Sequence, residues 1–196
     1  MNARATLLLA LLALAACRAT PLAPDLRPSS AEWPALAALD TWHARGRVAV
    51  RSAADGFSAS FDWHEAGGRS EIDVRGPLGA GAAHITRSAD LIRIDTGAQP
   101  PIEVPAPFDR LEDALTQRLG FPLPIEPLRY WILGAPASDR PSAPAPAGFA
   151  QDGWTVALDD FTRVPAAPAP LPARLTLSRE GTRIKVAVTD WTVGGS

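Results

Sequence analysis

A single cysteine, Cys17, is present among 196 residues, so no disulfide bond can form within the chain. No block of like charges occurs either, and the formal net charge is −2. Because phosphate binding needs a concentrated basic face, we expect no nucleic-acid partner. The apolar run from Leu7 to Leu14 is much shorter than the ~20 residues that a membrane-spanning helix needs.

The motifs of common catalytic sites are also missing. His64-Glu65 begins like the zinc motif H-E-x-x-H, but Gly68 stands where the second histidine belongs. No G-x-S-x-G nucleophile motif occurs, and the glycines are spaced for neither a dinucleotide nor a phosphate loop. The histidines fall on separate predicted elements and are expected to be ordinary sheet residues: His43, His64 and His84. The sequence therefore predicts no enzyme, no cofactor and no metal site.

Residues 1–16 have the pattern of a secretory signal peptide. A short basic region at Arg4 precedes the apolar run, and the small residues Ala15 and Ala16 follow it, as at a signal-peptidase site. Residues 17–30 continue as a proline-rich polar segment, which predicts a flexible tether. We expect one folded domain over residues 31–196, a length sufficient for a stable core.

The cleavage region carries a further signal in the four residues Leu14-Ala15-Ala16-Cys17. They resemble the bacterial lipoprotein lipobox. This resemblance implies that Cys17 becomes the first mature residue and carries a diacylglycerol and an amide-linked acyl chain. Several acyl chains anchor a protein stably, whereas one does so only marginally. Arg18 is not the aspartate that commonly retains lipoproteins at the inner membrane, so the resemblance implies the periplasmic face of the outer membrane.

From Arg45 onward, polar and apolar residues alternate as in β-strands. Residues 57–64, FSASFDWH, place their aromatic side chains on one face and their polar side chains on the other. The alternation continues in RSEIDVRG, and hairpin turns are predicted at Asp152-Gly153 and Glu180-Gly181. Further strands are predicted at residues 48–50, 91–95, 154–158 and 174–188. Such strands form an antiparallel sheet with a single hydrophobic side.

Two helical segments are placed to cover that side. Residues 108–120, FDRLEDALTQRLG, repeat apolar residues at helical spacing, and residues 126–134, EPLRYWILG, carry Pro127 in a first helical turn. Another helix is predicted to start near Trp33, with its apolar stripe running to Trp42. The predicted fold class is mainly β with a helical lid: a curved antiparallel sheet or part-closed barrel.

Fifteen of the 20 prolines lie in three regions, Pro21–Pro28, Pro100–Pro107 and Pro136–Pro172. The first region belongs to the tether, and we expect the other two to be long connections. Between the strands, Gly76-Pro77-Leu78-Gly79 has the chemistry of a tight turn. Its tip carries a leucine, where turns normally carry a small or polar residue.

Several segments resemble, in order, the LolB family of outer-membrane lipoproteins. They are RGRVAV (45–50), ASFDW (59–63), GPLG (76–79), LGFPLP (119–124), LRYWILG (128–134) and LTLSREGTRIKVAVTDWTV (175–193). The resemblance implies a half-open antiparallel β-barrel with helices over a hydrophobic cavity. It also implies a receptor that accepts lipoproteins from the periplasmic carrier LolA and inserts their acyl chains into the outer membrane. The family's protruding, membrane-inserting leucine falls on Leu78, and residues 135–148 depart from the family pattern as an expected variable loop.

On this basis the apolar faces are expected to line an acyl-binding cavity. The candidate residues are Val48, Val50, Phe61, Trp63, Ile72, Val74, Leu115, Leu119 and Trp131. The expected partners are LolA, the acyl chains of cargo lipoproteins and outer-membrane phospholipid, with the protein itself a monomer. Two alternatives stay open: a periplasmic lipid-binding or envelope-stress-sensing lipoprotein on a similar half-barrel, and a structural envelope lipoprotein with a filled core.

Overall fold

The computed structural model describes residues 26–52, 56–77, 81–108, 110–119 and 121–194, without the side chains of Arg118 and Leu119. Cys17 and Leu78 lie outside the described residues. Within these ranges the chain forms three helices: α1 (Trp33–Ala37), α2 (Leu111–Leu119) and α3 (Ile125–Trp131). The strands are β1 (Thr41–Arg51), β2 (Gly56–Ala66), β3 (Arg69–Arg75), β4 (Ala82–Arg87), β5 (Leu91–Asp95), β6 (Ile102–Pro105), β7 (Ser142–Ala145), β8 (Gly148–Gln151), β9 (Trp154–Thr162), β10 (Leu171–Arg179) and β11 (Thr182–Val193).

All the described strands belong to one antiparallel sheet in the order β6-β5-β4-β3-β2-β1-β11-β10-β9-β8-β7. The first and last strands of the chain, β1 and β11, pair at its centre. The edge strands β6 and β7 do not pair with each other in the described part of the chain, so the sheet curls without closing. The predicted fold class, a half-open antiparallel barrel with a helical lid, is confirmed.

The alternation read from the sequence places the core on the inner face of the sheet. In β2, Ala59, Phe61, Trp63 and Glu65 are buried, while the residues between them are exposed or half-buried. Successive side chains of a strand point to opposite faces, so one strand supplies both the core and the solvent surface. The buried members of α2 and α3 include Leu111, Leu115 and Ile125, which join the same core from above the sheet.

Gly46 lets β1 bend where it meets β11. The register of this pair shifts between Arg45 and Gly46, which marks a β-bulge. A Cβ atom at Gly46 would lie 2.0 Å from the Ala187 carbonyl oxygen and 2.8 Å from the Phe61 ring. The close approach therefore requires glycine, and the bulge increases the local twist at the centre of the sheet.

Both predicted hairpin turns are confirmed. Asp152 and Gly153 have φ values of 51° and 77°, and Glu180 and Gly181 have 45° and 80°. Two successive positive φ values are the requirement of a type I′ turn, whose twist matches that of the flanking strands. These turns join β8 to β9 and β10 to β11.

The predicted helix around Trp33 is shorter than its apolar stripe indicates. Helix α1 ends at Ala37, and Trp42 lies on the buried face of β1. The spacing of Leu36, Leu39 and Trp42 fits a helix, but Trp42 and Ala44 are both buried two residues apart, which is strand periodicity. Pairing with β2 and β11 therefore prevails over the local helical pattern.

The prediction that the later proline-rich regions are connections is wrong. Residues 100–107 contain β6, and the expected variable loop 135–148 contains β7 and the start of β8. Both Pro105 and Pro144 lie on edge strands. Proline cannot donate a backbone hydrogen bond, so an edge strand is where a sheet accommodates it.

The two predicted lid helices are present, α2 with nine residues and α3 with seven. Neither they nor any other helix in the described ranges has the length and apolarity needed to cross a bilayer.

Candidate functional site

An apolar cavity of about 350 Å³ lies between the inner face of the sheet and the lid helices. Its wall combines β1 to β5, β11 and the segment that contains α2 and α3. The lining residues are Val48, Val50, Phe57, Phe61, Trp63, Ile72, Val74, Gly81, Ala82, Ala83, Ile85, Ile94, Thr96, Ala98, Leu115, Phe121, Leu123, Ile125, Leu128, Ile132 and Val186. Except for Thr96 these residues are apolar or glycine, so none of the described side chains that line the cavity is titratable.

Seven of the nine predicted residues lie on this wall: Val48, Val50, Phe61, Trp63, Ile72, Val74 and Leu115. Leu119 belongs to α2, but its side chain is outside the described set. The predicted residues come from strands whose alternation is clear in the sequence. The lining residues that sequence reasoning missed come mainly from β4, β5, the lid segment and β11, where only the pairing order shows that they reach the same space.

Trp131 lies elsewhere. Its side chain is fully buried, and its ring centroid is 6.5 Å from that of Phe149 on β8. Its indole Nε1 donates a 2.8 Å hydrogen bond to Oε1 of Gln151, which anchors the end of α3 to the sheet. Leu128 and Ile132, on the neighbouring face of that segment, line the cavity instead. The sequence predicts Trp131 at the cavity, but it does not line the cavity. It is a core residue that holds the end of α3 to the sheet.

The exposed members of the wall gather at one end of the sheet. Phe57 is 46% exposed although its side chain lines the cavity, and its ring lies 5.8 Å from that of Phe121. Ala82 and Ala98 are also exposed lining residues. In an antiparallel meander the β1–β2, β3–β4 and β5–β6 connections fall at the same end, and these residues flank them. We call this end of the cavity the mouth.

The β3–β4 connection, which contains Leu78, begins and ends at the mouth. The amide of Gly76 donates a 3.2 Å hydrogen bond to the carbonyl of Gly81, and Gly81 lines the cavity. The described residues therefore place the two stems of the predicted Gly-Pro-Leu-Gly turn beside the opening.

Ion pairs fasten the lid to the strands. Arg87 on β4 pairs with Glu126 on α3 at 2.6 Å, and Arg179 on β10 pairs with Glu112 on α2. Arg129 on α3 lies with Nη2 3.2 Å from Oε1 of Glu65, a carboxylate on β2 that is fully buried. The lid is thus held to the strands by charged side chains that do not belong to the apolar wall.

The Glu65 carboxylate has a second partner within the sheet. The hydroxyl of Ser70 on β3 donates a 2.5 Å hydrogen bond to Oε2 of Glu65. Arg129 also donates from Nη1 to the Tyr130 hydroxyl at 2.8 Å and lies over the Tyr130 ring. Burial of a carboxyl group is tolerated when the group is paired and hydrogen-bonded, so Arg129 and Ser70 offset the cost of burying Glu65 under the lid.

A half-open antiparallel barrel around an uncharged apolar cavity is the class that these features define, and solved structures share the fold. A crystal structure of a LolA superfamily protein from Nitrosomonas europaea matches with a TM-score of 0.51 at 10% identity, covering 86% of this chain and 95% of that chain. A DUF1329 family protein from Desulfovibrio piger matches with a TM-score of 0.52 at 7% identity, covering 85% and 92%.

Sequence comparison is more specific. The family model described as outer membrane lipoprotein LolB matches residues 40–191. The outer-membrane lipoprotein LolB of Alkalilimnicola ehrlichii is 32% identical over 94% of this chain and 94% of its own length. That of Marinomonas sp. is 28% identical over 98% of this chain and 100% of its own length. The chain belongs to the LolB family of outer-membrane lipoproteins.

We predict that Arg129→Met destabilises the fold by about 3 kcal/mol, because it leaves the buried Glu65 carboxylate without its cation. For a chain of this size, that loss lowers the melting temperature by roughly 6 to 12 °C. Thermal unfolding followed by circular dichroism measures it. The double variant Glu65→Leu, Arg129→Met removes both charges and should recover at least half of the loss. Equal instability of the single and double variants would contradict the ion-pair explanation.

Proposed function

We propose that this protein is an outer-membrane-anchored receptor for lipoproteins. It accepts them from the periplasmic carrier LolA and inserts their acyl chains into the outer membrane. The observation that carries this proposal is the uncharged apolar cavity beneath the lid, in a member of the LolB family. A volume of about 350 Å³ lies within the ~300–1,000 Å³ range of ligand pockets.

The physical need for such a cavity is the cost of exposing an acyl chain to water. Each methylene contributes ~0.8 kcal/mol, so a whole chain costs on the order of 10 kcal/mol. A wall of valine, leucine, isoleucine and aromatic side chains offsets that cost without any directional contact. The described residues of this wall include no titratable group, which fits binding and release rather than acid–base catalysis.

Transfer requires a direction as well as a cavity. The sequence carries no nucleotide-binding motif, so we infer that cargo moves from the carrier to this protein and on to the bilayer by increasing affinity. An anchored receptor already lies at its destination. In this proposal residues 1–16 are the signal peptide, Cys17 is lipidated, residues 17–30 are the tether, and residues 31–196 form the domain that receives the cargo.

The expected N-terminal processing can be measured directly. Mass spectrometry of the protein from membranes should find Cys17 as the first residue, with attached diacylglycerol and acyl groups and without residues 1–16. Cys17→Ser should block both changes. Recovery of an unmodified Cys17 from the membrane fraction would overturn the lipid anchor.

Occupation of the cavity can be tested by photo-crosslinking. A photoreactive amino acid at Phe61, whose side chain lines the cavity, should capture a lipoprotein delivered from loaded LolA. The matched control is Asp62, the next residue of β2, whose side chain lies on the outer face. Both variants are first checked for an unchanged melting temperature. Capture from position 62 and not from position 61 would contradict cargo binding under the lid.

Leu78 is proposed to insert into the membrane at the delivery step. Burial of a leucine side chain contributes roughly 2 kcal/mol, which is too little to anchor a protein but enough to orient a tethered cavity toward the bilayer. Leu78→Glu should accept cargo from LolA normally and deliver it to liposomes at least tenfold more slowly.

The matched control for this variant is Leu91→Glu. Leu91 is 37% exposed at the start of β5, at the end of the sheet away from the mouth, so delivery should stay unchanged. If Leu78→Glu delivers cargo at the wild-type rate, Leu78 has no part in transfer. If acceptance from LolA fails in the wild-type protein as well, the receptor role itself is wrong, and a general lipid-binding lipoprotein becomes the better description.

A further inference from the structure

A second cluster lies on the outer face of the sheet, on the side opposite the cavity. It consists of His43 on β1 and of Asp62 and His64 on β2. Nε2 of His43 lies 2.7 Å from Oδ1 of Asp62, and Nε2 of His64 lies 3.0 Å from the same oxygen. The two imidazole rings are stacked with centroids 3.8 Å apart. Two imidazole nitrogens therefore lie within hydrogen-bond distance of one carboxylate oxygen.

Strand register produces this cluster. His43 and His64 are direct cross-strand partners. Asp62 precedes His64 by two residues on β2 and therefore lies on the same face. The spacing of these residues along the chain matches no metal motif, which is why the sequence predicts no metal site. Elsewhere in the described ranges, no other three such side chains bring their ligand atoms within 4.8 Å of one another.

The backbone that carries the cluster is firmly packed. On the inner face of the same strand positions, the rings of Trp42 and Trp63 lie 5.1 Å apart, and both residues are at least 97% buried, with 2% and 3% exposure. β1 and β2 also pair along their whole length. Ligands on such strands are held more precisely than ligands on loops.

We propose that His43, Asp62 and His64 bind a divalent transition-metal ion of the zinc class. Two imidazoles and a carboxylate suit zinc, copper or nickel, and three protein ligands leave an open coordination position for water. Zinc bonds of about 2.0–2.1 Å place tetrahedral donor atoms roughly 3.4 Å apart. The nitrogen–oxygen separations of 2.7 and 3.0 Å would widen by about 0.7 and 0.4 Å. The two stacked rings would also turn about their side-chain torsions, because a bound metal ion lies near the plane of each imidazole.

Some of the surrounding charges oppose the binding of a cation at this cluster, and others favour it. Nε of Arg45 donates to Oδ2 of Asp62 at 3.1 Å, so one carboxylate oxygen is already engaged by a cation. Burial raises the pKa of Asp62, but the hydrogen bond from His43 and the positive charge of Arg45 outweigh it, and the pKa is lowered overall. On the next strand, Glu71 and Asp73 face His64 and Asp62 and add negative charge.

The test is zinc titration by isothermal calorimetry of the full chain, purified in detergent without a histidine tag and with Cys17→Ser, which removes its thiol. We expect one zinc ion per chain. His43→Asn and His64→Asn should each weaken binding at least tenfold, because each removes a ligand. Arg45→Gln should strengthen binding several-fold, because it removes a competing cation. No merely structural role of the cluster accounts for that increase.

The matched control is His84→Asn. His84 lies on the same face on β4, with Nδ1 3.2 Å from Oδ1 of Asp73, and is not part of the cluster. Its substitution should leave zinc affinity unchanged within twofold. Melting temperatures in the presence of a chelator verify that every variant is folded. No stoichiometric binding at 100 μM zinc, or equal losses in the His84 and His43 variants, would overturn the site. This inference does not depend on the proposed receptor function.

Discussion

The rest of the structure depends on one feature, a sheet with a single apolar face. The lid covers this face without filling the space beneath it. Phe61, Trp63 and Ile72 present such a face from adjacent strands. Burial of this surface stabilises the fold, and a closed barrel whose interior is filled by side chains would bury all of it. The chain instead leaves the sheet open and lays α2 and α3 across the inner face, which keeps an apolar space between two layers.

In the lid, the side chains that attach it to the strands differ from those that line the cavity. Its inner side chains, such as Leu115 and Leu128, face the cavity, whereas its contacts with the strands include two ion pairs outside the apolar wall. These two pairs are half-buried. The Glu65 carboxylate is fully buried, so the loss of Arg129 alone would leave an uncompensated charge under the lid. The three pairs therefore restrict where the lid can sit on the sheet.

Much of this arrangement follows from local sequence patterns, and most of the exceptions depend on strand register. Alternation in β2 and β3 predicts Phe61, Trp63 and Ile72 correctly as inner-face residues, and helical spacing predicts Leu115. Val186, in contrast, reaches the cavity only because the last strand pairs with the first. The facing pair of His43 and His64 likewise depends on register. Trp131 is an exception of another kind. Successive helical residues differ in direction by about 100°, so Trp131 points away from the cavity while the next residue, Ile132, lines it.

The prolines of the edge strands affect whether copies of the protein associate through their sheets. An open sheet has two free edges, and each edge is a template on which another chain can add a strand and start a fibril. Pro105 on β6 and Pro144 on β7 remove an amide donor from each edge, and both strands are only four residues long. The sheet can therefore stay unclosed without offering a continuous ladder of amide donors on which another chain could add a strand.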